Sequence, residues 1–211
     1  MLSYKEGCKL GKGLSTDILL LAAGTSSRMD GTDKLLKEIN GTPIIRYMAN
    51  IALESNAKSV HVVLGHNSNQ REKCLTGLKI RTYFFKDYHN GLGASISFGI
   101  KRISSSANSV IILLADMPKV KSGDLNKLIE SYSTDLKREI CIATNKDGVQ
   151  GHPVLFGRKF FMQLVNLKGD KGAKRVLNEH SEFVWPVITS GDTAVFDIDT
   201  EEDWRKFENH E

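Results

Sequence analysis

Apolar residues along the chain fall into short unbroken runs separated by stretches of helical spacing. Asp17–Ala23, Ser59–Gly65, Ile80–Phe85, Ser109–Ala115 and Glu139–Ala143 are runs of the first kind. Their length and the turn residues around them predict buried strands. The most apolar is Ser109–Ala115, with Val110, Ile111, Ile112, Leu113 and Leu114 in succession. Thr42–Ser55, Gln70–Leu78, Ala94–Ile103 and Ser122–Tyr132 carry helical spacing, and Pro43 sits near the first helix start, where its missing N–H costs nothing. Strand alternating with helix predicts an α/β protein with a mostly parallel sheet and helices on both faces. The unbroken apolar runs agree, because central parallel strands are buried on both sides. The last third is less regular. Pro153–Gly157, Phe183–Val187 and Val195–Ile198 read as short strands, and Lys159–Val165, Lys171–His180 and Glu201–Glu208 as helices.

Length and composition narrow this picture. A chain of 211 residues suits one α/β domain, a class that runs to roughly 200–250 residues. Residues 1–16 are polar, with Lys5, Lys9 and Lys12 and no apolar centre. They read as a loose N-terminal extension rather than a secretory signal, ahead of a single domain over 17–211. Apolar residues make up 40% and charged residues 26% of the chain, which is ordinary for a globular protein and excludes disorder. The net charge is +4. The basic residues cluster no further than pairs such as Lys101-Arg102, so the charge suits an anionic small molecule and not a nucleic acid. No apolar stretch reaches the ~20 residues of a membrane span. Cys8, Cys74 and Cys141 lack metal-ligand spacing and read as reduced thiols of a cytoplasmic protein, with Cys141 in the core.

The candidate chemistry starts at the end of the first strand, in Leu21-Ala22-Ala23-Gly24-Thr25-Ser26-Ser27-Arg28-Met29. A turn of small residues at a strand's carboxyl end lets backbone N–H groups approach a phosphate. Arg28 and Lys34 add two cations close by. Neither a Walker A loop nor a dinucleotide fingerprint is present, and the residues taken alone also suit a plain structural connection. A second feature is Asp116, at the end of the most apolar strand in Leu114-Ala115-Asp116-Met117-Pro118. A carboxylate there suits Mg²⁺ held against triphosphate oxygens, or a simple turn cap. Asp197 and Asp199 would share one face if Val195–Ile198 were a strand; Asp199 or Thr200 would equally cap the closing helix. Gly91 and Gly93 open the helix that carries Ser95. Lys171, Lys174 and Arg175 fall on one face of the predicted helix at 171–180, with Asp170 as its cap, and His152 precedes a proline.

Several of these segments together resemble one family. L-A-A-G-x-S-x-R-M, the Lys34-Leu35-Leu36 that follows, and the later G-x-P-I are similar to the signature of MobA-like NTP transferases, and the likeness runs from Asp17 to Trp204. Asp30 departs from it, since the family has glycine after the methionine. The resemblance implies a three-layer α/β/α fold of the Rossmann-like nucleotide-diphospho-sugar transferase type. It also implies that Leu21, Ala22, Ala23, Gly24, Ser26, Arg28 and Lys34 bind a nucleoside triphosphate, with Gly93 and Ser95 along its base and ribose. Arg28, Lys34 and Asp116 would be catalytic, and Asp116 and Asp199 would hold Mg²⁺. The alanine pair Ala22-Ala23 resembles the cytidylyltransferase branch, where the guanylyltransferase branch has a second glycine, which implies CTP. Gly151-His152-Pro153-Val154-Leu155-Phe156 and Gly169-Asp170-Lys171-Gly172-Ala173-Lys174 resemble motifs of molybdenum cofactor cytidylyltransferases. This likeness implies molybdopterin as acceptor, bound by His152, Lys171, Lys174 and Arg175, and a passing contact with a recipient molybdoenzyme or its chaperone. A related transferase that uses GTP or a sugar phosphate, and a nucleotide-binding subunit without turnover, are the alternatives.

Overall fold

Strand β1 (Thr16–Ala22) is buried at every residue, and its side chains alternate between two faces of a sheet. Ile18, Leu20 and Ala22 enter one core, while Leu19, Leu21 and Ala23 enter the other. A computed structural model describes residues 14–25, 29, 32–103 and 105–208. After β1 come β2 (Glu38–Ile39) and β3 (Thr42–Pro43), then α1 (Ile44–Leu53), β4 (Ser59–Leu64), α2 (Ser68–Cys74) and β5 (Arg81–Phe84). The chain continues through α3 (Leu92–Ile100), β6 (Ser109–Leu114), α4 (Ser122–Ser131), β7 (Ile140–Thr144) and β8 (Gln150–Gly157). It closes with α5 (Phe161–Val165), α6 (Lys174–Glu179), β9 (Val184–Ile188) and α7 (Glu201–Glu208).

Seven strands form one sheet in the order β5-β4-β1-β6-β8-β7-β9. The pairs β5–β4, β4–β1, β1–β6 and β7–β9 are parallel. β8 is antiparallel to both of its neighbours, β6 and β7. It alone runs against the rest, so it begins at the edge where the other strands end, which is where open α/β sheets bind ligands. α1, α4 and α7 pack on one face and α3, α5 and α6 on the other, the three layers expected. Cys141 lies fully buried in β7, and burial pushes its thiol up to about 12. Among the described residues no helix is long and apolar enough to cross a membrane.

The expected elements recur within a few residues at their ends, with three differences. Val195–Ile198 is not a strand. Among the described residues it makes one ladder-like bond, from Ile198 N to Asp116 O (2.9 Å), while the preceding Ala194 O accepts from His152 N (2.9 Å). The helix expected at 171–180 is shorter, spanning Lys174–Glu179. Gly169 and Gly172, at φ +66° and +54°, keep residues 169–172 out of helical geometry, so Lys171 does not share a helix face with Lys174 and Arg175. For the same reason Asp170 does not cap α6, whose N-cap is Ala173. The extension read at residues 1–16 lies outside the described residues as far as residue 13; Thr16 already belongs to β1.

Candidate active site

β1 ends at Ala22, and the backbone then turns through Ala23, Gly24 and Thr25 along a cleft of about 380 Å³. Leu21, Ala23, Gly24 and Thr25 form its wall on this side, and Gly91, Leu92, Ser95, Leu114 and Asp116 line the rest with Tyr88, His89 and Asp170. Among the described residues a Cβ on Gly24 would meet no atom within 4 Å, so their packing does not require a glycine there. Gly91 is different. Its φ of +91° favours glycine, and a Cβ would come within 2.1 Å of Asp170 Oδ1. Gly93 turns away from the cleft: its N–H donates to Gly169 O (2.7 Å). Ala22 also faces the core rather than the cleft. Ser26 and Arg28, expected on the triphosphate, and Asp30, the departure from the family pattern, lie outside the described residues.

Lys34 sits in a short helical turn, Lys34–Leu36, capped by Asp33, whose Oδ1 accepts from Leu35 N (3.1 Å). Its ammonium donates to Asp116 Oδ2 (2.7 Å) and Asp199 Oδ1 (2.9 Å). Burial disfavours the charge, but the two carboxylates outweigh it and hold Lys34 above its ordinary value of 10.5. Thr200 and Asp203 exchange hydrogen bonds across the first turn of α7, so capping falls to them and the Asp199 carboxylate faces Lys34. Asp197 is exposed at the surface, but partial desolvation raises its carboxyl above the usual range, with the negative charges of Asp199 and Asp116 adding to the effect. Three carboxylates therefore share the field of one ammonium.

The residues fit a divalent metal. Asp116 Oδ1 is buried and has no hydrogen-bond partner among the described residues, a costly state for a carboxylate oxygen. A hard cation held by one or two carboxylates, with phosphate oxygens and water completing the shell, would satisfy it. Among the described residues no group of three His, Cys, Asp or Glu side chains is placed to hold an ion, so the other ligands would come from substrate and water.

His152 enters from the antiparallel strand. The β6–β8 register pairs Ile112 with Val154, and its continuation sets His152 beside the end of β6, near Asp116. Burial lowers the imidazole below its ordinary value, while a hydrogen bond with the Ile112 backbone and the Asp116 charge pull the other way. Its Nδ1 is buried with no partner among the described residues. Lys171, Lys174 and Arg175 are exposed and do not line the cleft. Arg175 is paired with Glu179 at 2.6 Å. Asp170 is the residue of this segment that lines the cleft, and Tyr88 lines it as well. The sequence pattern gives Asp170 only a capping role and does not single out Tyr88. A tyrosine four residues after the end of β5 and three ahead of Gly91 is the signal that would have found Tyr88.

The fold and this site together define a nucleotidyltransferase: a small-residue loop and an acidic pair meet at the carboxyl edge of a mostly parallel sheet of the nucleotide-diphospho-sugar transferase type. Residues 18–183 match the model of the MobA-like NTP transferase domain, and the chain belongs to that family. The purine catabolism protein PucB of Bacillus subtilis (strain 168) is 29% identical over 197 residues, covering 88% of this chain and 92% of PucB. Rv0371c from Mycobacterium tuberculosis H37Rv superposes with a TM-score of 0.81 at 25% identity, over 92% of this chain and 97% of that one; it has also been solved in complex with manganese. CMP:2-keto-3-deoxy-manno-octonic acid synthetase complexed with CTP shares the fold, with a TM-score of 0.71 at 13% identity over 93% and 98% of the two chains.

Proposed function

We propose that the protein is a Mg²⁺-dependent cytidylyltransferase that joins CMP from CTP to molybdopterin and releases pyrophosphate. The observation that carries this reading is the buried, unpartnered Oδ1 of Asp116 beside the Lys34–Asp199 contact. An acidic pair kept short of one ligand, next to a glycine turn that no packing explains, suits a metal–triphosphate. The Ala22-Ala23 pair supports CTP, because it resembles the cytidylyltransferase branch of the family where the guanylyltransferase branch has a second glycine. The unpartnered Nδ1 of His152 and the G-H-P-V-L-F and G-D-K-G-A-K segments support molybdopterin.

In the reaction, an oxygen of the acceptor phosphate bonds to the α-phosphorus while the bond from that phosphorus to the bridging oxygen breaks, and pyrophosphate leaves. No protein nucleophile is needed, so the chain contributes position and charge. Asp116 and Asp199 would hold Mg²⁺, which neutralises charge on the triphosphate. Lys34 and Arg28 stabilise the negative charge that builds on the departing pyrophosphate. His152, whose Nδ1 finds no partner among the described residues, would bond to the acceptor. Mass spectrometry of the pterin product after incubation with Mg²⁺, CTP and molybdopterin tests the reading. Addition of one CMP is expected; unmodified pterin alongside consumed CTP would point to another acceptor.

A further inference from the structure

Arg71 is fully buried and touches no part of the cleft, yet it bonds to both chain segments that carry the nucleotide-binding residues. Nε and Nη2 donate to Asp33 Oδ2 and Oδ1 at 2.9 and 2.8 Å, and Nη1 donates to the carbonyl of Ala22 at 2.8 Å. Ala22 is the last residue of β1 before the glycine turn, and Asp33 immediately precedes Lys34. Asn67 Nδ2 adds a bond to Asp33 Oδ2 (3.1 Å), and Asp33 Oδ1 caps the turn on which Lys34 stands. The planar guanidinium thus fixes where β1 ends and where Lys34 begins, relative to each other. Only a side chain with several donors in a rigid fork can do this; a lysine offers one point charge. Stability alone does not require the pair, since apolar side chains in place of both Arg71 and Asp33 would fill the space without the cost of burying charge.

We infer that Arg71 is a positioning residue for nucleotidyl transfer: it acts through Asp33 to aim the Lys34 ammonium at Asp116 and Asp199, and through Ala22 to set the turn at Gly24. The inference deepens the nucleotidyltransferase reading and rests on it for its consequence, but the geometric part can be tested without nucleotide. The test uses the full chain as wild type, Arg71→Lys, Arg71→Ala and Leu128→Ala. Leu128 is a buried residue of α4 away from the cleft, and its truncation serves as a control for general loss of stability. Two quantities are read: the rate of acetylation of Lys34 by acetic anhydride, followed by mass spectrometry, and the equilibrium affinity for Mg·CTP. In wild type and Leu128→Ala, Lys34 should be protected. In both Arg71 variants it should be acetylated several-fold faster, and Mg·CTP should bind at least about tenfold more weakly, as expected when a supporting shell is lost. Millimolar guanidinium, but not equal ammonium, should restore protection to Arg71→Ala. Unchanged Lys34 reactivity in Arg71→Lys, or an equal change in Leu128→Ala, overturns the inference. If wild type binds no Mg·CTP while the acetylation pattern appears as described, the positioning role stands and the CTP reading falls.

Discussion

Lys34 answers to two carboxylates at once, and its removal would change both. In Lys34→Ala, Asp116 and Asp199 lose their common cation, and Asp197 already feels the repulsion of both. Pairs this well shielded are worth about 1–3 kcal/mol, between the surface and fully buried cases. Lys34→Ala should therefore melt at a lower temperature than wild type, and Mg²⁺ should raise its melting temperature more than that of wild type, because the ion replaces the missing charge. A scan in which Mg²⁺ stabilises both proteins equally would separate Lys34 from the metal site. Asp116→Asn tests the opposite partner. It keeps the side-chain volume and leaves Lys34 bonded to Asp199, so the fold should survive, while pyrophosphate release should fall by roughly 10²–10³-fold through lost charge stabilisation. Near-normal turnover with Mg²⁺ would remove Asp116 from the mechanism.

At the scale of elements, the turn before α3 shows how strictly the cleft is built. Gly91→Ala meets both a φ of +91° and a contact of 2.1 Å with Asp170. It should lose about 1–3 kcal/mol in thermal or urea unfolding, whereas Gly24→Ala, with open space around it, should be nearly neutral for stability and affect turnover instead. Equal losses for the two would contradict the division of roles. The sequence pattern made β1, β4, β6 and α1 legible, since their apolar runs answer to burial on one or both faces. The motifs likewise pointed to Lys34, Asp116 and Asp199, which the fold brings within hydrogen-bond distance. Val195–Ile198 misled because its residue pattern looks like a strand, whereas Val195 and Phe196 bond back to Asp192 in a turn and Ile198 makes a single bond to Asp116. The cationic helix face failed because Gly169 and Gly172 adopt left-handed backbone, which spacing alone does not reveal. Arg71 was invisible for another reason. Nothing in a polar helix marks one of its arginines as fully buried until the partner segments are in place.

Over the whole molecule, the site joins residues far apart in the chain: Lys34 and Asp199 are separated by 165 positions. The parallel sheet brings them together, because β1 and β6 end at one edge and the segment ahead of α7 runs across it. The buried Arg71–Asp33 pair lends that edge a pH dependence. Burial alone would raise the Asp33 carboxyl, but Arg71, Asn67 and the Leu35 amide together hold it below its ordinary 3.8. A depressed carboxyl stabilises fully above its unfolded value and loses that stabilisation as pH falls through the folded one. Chemical unfolding of Arg71→Met should therefore show a shallower loss of stability below about pH 4 than wild type does, and a slope equal to that of wild type would contradict the pair's role. The central claim, CTP-dependent transfer to molybdopterin, is tested most directly by pyrophosphate release from the purified protein with Mg²⁺ and each of the four ribonucleoside triphosphates, with and without molybdopterin. The account predicts release that requires CTP and the pterin together. Release that needs another triphosphate, or no pterin-dependent release from folded protein with any of the four, would contradict it.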